Sequence, residues 1–158
     1  MLPPGRAACN LPAIPVPDLS QRGSVFIAYE FAGAVREIYM QDVGPAETDA
    51  WMGQSVGRWE GDTLVVEVTG LSDQTWFDRS GTHHSNQLKV TERYTVSSPY
   101  HIQYEAEIVD PEVFTRPWKI SMPLYRRMEE DARLMDFKCV EFVEELLFGE
   151  YRRRPLER

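Results

Sequence analysis

The chain has 158 residues, with 17 Lys and Arg against 25 Asp and Glu, for a net charge of −8. That length suits one domain able to bury its own core. The acidic balance argues against nucleic-acid binding, and no apolar run is long enough to span a bilayer as a helix.

Residues 1 to 22, MLPPGRAACNLPAIPVPDLSQR, hold five prolines. Proline denies the segment a helix and most ladder hydrogen bonds, so an extended N-terminal arm is expected. No stretch at the start reads as a signal peptide. The chain as given is read as cytoplasmic, or as periplasmic or secreted if a signal was removed. Cys9 and Cys139 are the only cysteines. They suit either one end-to-end disulfide or two reduced thiols, with the reduced form preferred.

A single domain over 23–158 is expected to follow. SVFIAYEF and AVREIYMQ flank Ala32-Gly33 and predict a hairpin. DVGPAETDA reads as a loop. GQSVGRWE and DTLVVEVTG are predicted strands joined at Glu60-Gly61-Asp62, where glycine supplies a left-handed turn. LSDQTWFDRSGTHHSN, polar with embedded aromatics, is expected to form a loop or short helix across one end of the sheet. NQLKVTERYTVS puts Leu88, Val90, Glu92, Tyr94 and Val96 on one face. HIQYEAEIVD turns Ile102, Tyr104, Ala106 and Ile108 inward and His101, Gln103, Glu105 and Glu107 outward. Such alternation marks an antiparallel sheet with one wet face. WKISMPLYRR is a further strand candidate. EFVEELLFGEY predicts a helix at about 140–148, after an extended piece around 133–139. Short strands with little helix point to a mainly β fold, a lipocalin-like antiparallel barrel or a sandwich.

The run WMGQSVGRWEGDTLVVEVTGLSDQTWFDRSGTHHSNQLKVTERY resembles a bacterial protein family. That family carries S-V-G-R-W-E-G-D-T-L-V-V, T-W-x-D-x-x-G-x-x-H-S and V-T-E-R blocks. Its later D-P-x-x-[FY]-T-x-P-W element stands here as Asp110-Pro111 and Phe114-Thr115-Arg116-Pro117-Trp118. The resemblance covers about residues 25–120 and implies no established reaction. It implies export for many members. Where some relatives have a histidine two residues before the H-S pair, this chain has Thr82.

Several residues are candidates for chemistry. Asp78 could fix the tautomer of His84 and make it a general base, or both could simply tie the loop down. Ser85 forms no nucleophilic pair with its neighbour, since adjacent strand residues face opposite ways. His83, His84, Asp73 and Asp78 lack the spacing of a zinc site, so no metal is expected. Glu92 falls on a face that should be buried, which demands a partner or a proton; Arg58 and Arg36 are the candidate partners. A buried Arg–Glu pair fixing register is one reading, and a pocket acid or base is the other. Tyr39, Trp59, Trp76, Phe77 and Trp118 are candidate pocket-lining aromatics, with Arg36 an anion binder.

The leading functional expectation is a cofactor-free lyase or isomerase doing acid–base chemistry on a small hydrophobic or aromatic molecule. In it His84, Asp78, Glu92 and Arg58 carry the reaction. The alternative is a non-catalytic protein that binds such a ligand. No nucleotide loop is present, and a homo-oligomer is left open.

Overall fold

A computed structural model describes residues 23–78 and 81–135. Seven strands form one sheet: β1 (Ser24–Ala28), β2 (Val35–Tyr39), β3 (Gln54–Glu60), β4 (Thr63–Thr69), β5 (Lys89–Ser98), β6 (His101–Val109) and β7 (Trp118–Tyr125). They lie in sequence order and curl into a half-barrel. No helix occurs among the described residues. The expected arm at 1–22 and helix at 140–148 lie outside them. Residues 133–135, where an extended piece was expected to begin, carry no strand.

The first hairpin forms where the sequence predicts it, with Ala32 (φ 57°) and Gly33 (φ 59°) both left-handed. Gly61 (φ 60°) turns β3 into β4. From β3 to β7 every pairing is antiparallel, as the alternation predicts. The fully antiparallel expectation needs one correction: β2 meets β3 in parallel, through Ile38–Ser55 and Tyr39–Val56. The cause lies in the connection, residues 40–53. It crosses over rather than turning back, and it is pinned by Ala50 N–H to the Gly70 carbonyl (2.9 Å) and Ser72 N–H to the Ala50 carbonyl (3.0 Å).

Strand alternation gives the sheet one buried face. Ile38, Val66, Val68, Leu88, Ile108 and their neighbours form a continuous core there. At about 25 cal/mol per Å² of apolar area, such burial is the main stabilising term. Gly57 is needed on this face. A Cβ there would come within 2.6 Å of Ile38 Cγ2 and 3.0 Å of Met40 Sδ, so the missing side chain lets β2 lie across β3. One residue departs from the expected pattern. Val96 shares the inward parity but is exposed, because the β5–β6 register shifts between Val96 and Ser98 at the hairpin end.

The chain after β7 ties two ends together. Arg126 N–H bonds the Tyr100 carbonyl (2.9 Å), and Met135 N–H bonds Glu30 Oε1 (3.0 Å). No helix among the described residues is long and apolar enough to cross a membrane.

Candidate functional site

Inside the curl, the core face carries a charged pair. Arg36 on β2 and Glu92 on β5 are both inward by alternation and both buried, at 2% and 0% exposure. Two strands, β3 and β4, separate them in the sheet. Their contact, Arg36 Nη2 to Glu92 Oε2 at 2.5 Å, therefore crosses the interior of the half-barrel rather than following a ladder. Arg36 Nε donates to Ser55 Oγ at 2.8 Å. Glu92 Oε1 accepts from the Tyr104 hydroxyl at 2.9 Å and the Tyr94 hydroxyl at 3.3 Å. The two tyrosine rings lie 5.0 Å apart at 51°.

This geometry fixes the charge states. Burial pushes the Glu92 carboxyl upward, but the Arg36 charge and its hydrogen bond outweigh that and hold it below the ordinary value. Burial likewise opposes the Arg36 charge, and Glu92 more than restores it. Tyr94 and Tyr104 are pushed up, first by burial and then by the carboxylate. Both phenols therefore stay protonated and serve as donors. One polar atom is left over: Arg36 Nη1 is buried with no hydrogen-bond partner among the described residues. A buried donor without an acceptor costs roughly 1–3 kcal/mol, so the position calls for one.

His84 belongs to a different cluster. Its ring is buried, with Nε2 2.6 Å from Thr75 Oγ1 and Nδ1 3.0 Å from the Ser85 carbonyl. A carbonyl only accepts, so Nδ1 carries a proton. With both nitrogens engaged, the expected Asp78–His84 pairing is not the one formed. The Asp78 carboxylate instead takes Thr82 N–H (3.2 Å) and the Thr82 hydroxyl (2.9 Å). Ser85 gives its N–H (2.7 Å) and hydroxyl (2.8 Å) to buried Asp110. That tie fastens the loop after β4 to the end of β6. The His84 set and the Glu92 set share no hydrogen-bond partner.

The remaining expected residues scatter. Arg58 is 52% exposed and pairs with Glu60 (3.0 Å) and Glu67 (2.5 Å), leaving Glu92 to Arg36. Tyr39 alternates with Ile38 and so faces away from the pair. Trp59 shares the inward parity but sits at the rim, 49% exposed, and Trp76 is 69% exposed on its loop. Phe77 and Trp118 do meet. Their rings are 5.3 Å apart, and Phe114 completes the cluster at 6.2 Å from Phe77 and 5.5 Å from Trp118. The Trp118 indole N–H is the second buried donor without a partner. Among the described residues no group of three or more His, Cys, Asp or Glu gathers as metal ligands would.

Sequence reading missed Ser55, Thr75, Asp110 and the roles of the two tyrosines. Tyr94 and Tyr104 were legible as inward residues, yet only the register shows that they face one another beside Glu92. Asp110 was visible only as an Asp-Pro strand end. A carboxylate there also caps the following turn, accepting Glu112 N–H at 3.2 Å. Compared with protein-family models, curated proteins and solved structures, the chain finds no match in any of the three.

Proposed function

We propose that the half-barrel binds a small, largely apolar molecule on its core face, with the Arg36–Glu92–Tyr94–Tyr104 cluster as the polar contact. The observation that carries this reading is the unpartnered Arg36 Nη1 inside an otherwise satisfied buried network. Buried polar groups are almost always paired, so a buried orphan donor is where a ligand oxygen gains most. Binding fits better than turnover at Glu92. A general base works best with a pKa near the operating pH, and Glu92 is held on the low side. Native mass spectrometry of the purified full chain tests the reading. A small-molecule adduct that disappears in an Arg36→Met variant shown by circular dichroism to be folded supports it, and identical adduct spectra for both proteins count against it.

Acid–base chemistry on a small hydrophobic or aromatic molecule (elimination, isomerisation, decarboxylation or hydration) is the second reading. One contact favours it: Thr75 Oγ1, which also donates to the Ser72 carbonyl at 3.0 Å, lies 2.6 Å from His84 Nε2, with Nδ1 oriented by a carbonyl. That is the arrangement of an oriented imidazole beside a hydroxyl. Loss of a general base costs about 10²-fold or more, so a turnover that survives His84→Ala nearly intact would remove this reading.

A further inference from the structure

We propose that the ligand of the Arg36 cluster is a neutral molecule bearing a ketone, ester or lactone carbonyl on an apolar or aromatic frame, and is neither a carboxylate nor an amine. The inference rests on the binding reading above and goes further by naming the chemistry that the site accepts.

Three observations carry it. The first is the sign of what is missing. Among the described residues, the buried side-chain nitrogens and oxygens without a partner are Arg36 Nη1 and Trp118 Nε1. Both are donors with no capacity to accept, so a complementary ligand brings acceptors. The second is charge. The guanidinium is already neutralised by Glu92 at 2.5 Å. A ligand carboxylate on Nη1 would put a second anion beside a buried first one, and like charges in a low-dielectric site repel strongly. A ligand ammonium fares no better. Glu92 Oε2 is held by Arg36 and Oε1 already accepts from two phenols, so a cation there would face the guanidinium. A carbonyl oxygen takes the donor and adds no charge.

The third is placement. Ser55, which holds Arg36 Nε, pairs across the sheet with Val68, and the row continues through Val90 and Ile108 to Trp118. Trp118 ends that row, while Arg36 touches its other end only through Ser55, and the middle of the row is aliphatic and buried. On the Arg36 side the tilted Tyr94–Tyr104 pair offers an aromatic wall. Beside Arg36, an apolar or aromatic body with an acceptor oxygen at its edge matches the Tyr94–Tyr104 pair.

Three probes of one skeleton test the idea on the full chain by isothermal titration calorimetry: acetophenone, benzoate and benzylamine. Acetophenone is expected to bind at least about tenfold more tightly than either ion. In Glu92→Gln the Arg36 charge loses its counter-ion, and the preference should turn toward benzoate. Circular dichroism establishes whether that variant is folded. If it is not, the wild-type ranking decides alone. Benzoate or benzylamine binding as well as acetophenone overturns this inference and leaves the binding reading standing. No binding of any probe up to about 1 mM overturns both.

Discussion

Two arginine–glutamate clusters lie on the two faces of one sheet, and they differ in almost everything but composition. On the core face, Arg36 and Glu92 are sealed from water and held by Ser55 and Tyr104. On the outer face, Arg58 joins Glu60 and Glu67, while Arg93 reaches Glu60 at 2.5 Å, all well exposed. Water already solvates the outer charges, so their pairing adds little, and salt screens it over about 8–10 Å. The inner pair has given up its hydration, and each partner is what makes the other tolerable. The same ion pair is therefore close to incidental on one face, while on the other neither partner can be lost alone.

Breaking the inner pair should produce the largest effect. Arg36→Ala or Glu92→Ala leaves one buried charge alone and is expected to cost about 3–5 kcal/mol in urea unfolding. Arg36→Met combined with Glu92→Leu removes both charges and should recover most of that loss. A double variant no more stable than the singles would show that the pair itself, not its orphaned halves, carries the stability. The pH dependence has a definite sign. Glu92 is held below its ordinary value of 4.5, so its contribution is complete above that value and drains away as pH falls beneath it. Stability plotted against pH should therefore bend downward below about 4.5, and the double variant should show a shallower bend.

Packing beneath the pair ranks next. Gly57→Ala places a methyl against Ile38 and Met40, where β2 lies closest. Overpacking of this kind costs about 1–3 kcal/mol, read as a lower denaturation midpoint with an unchanged slope. An unaffected midpoint would mean that β2 is free to move off β3. Tyr104→Phe follows, since it deletes one donor to the carboxylate and nothing else. A hydrogen bond to a charged group contributes about 1.5–3 kcal/mol, reduced here because Tyr94 still donates to the same oxygen. Tyr104 titrates above the ordinary 10.0 because burial and Glu92 oppose its anion. Its contribution is thus kept below pH 10.0 and lost above, and Tyr104→Phe should soften the alkaline fall.

How much of this was legible follows from what alternation can and cannot encode. Period-two patterning fixed which residues of β5 and β6 face inward, and so exposed Glu92 as a charge on an apolar face. It could not choose between Arg36 and Arg58, because that choice depends on which face each strand buries and how far the sheet curls. Arg58 flanks Trp59 in a dense polar block, yet its parity turns it outward. The parallel contact of β2 with β3 was hidden for a similar reason: it arises from the crossover at 40–53, which has no periodic signal. Aromatic residues were poor guides. Trp59 and Trp76 drew notice for their neighbours and lie at the surface, while Tyr104, in an ordinary alternating strand, touches the buried carboxylate.

The smallest expected effect sharpens the contrast between the faces. In the sheet register Val65 stands between Arg58 and Arg93, and it is fully buried although its neighbours on that face are charged. Aliphatic stems of arginine can cover apolar surface while the guanidinium stays in water. On that account Arg58 matters for its carbon chain more than for its charge. Arg58→Gln retains much of the stem and should melt within the scatter of the parent, with or without added salt. Arg58→Ala strips the stem from Val65 and should melt slightly lower, by an amount that salt does not change. Equal losses in both variants, fading as salt is raised, would instead show that the outer ion pairs stabilise the sheet, and the distinction drawn between its two faces would fail.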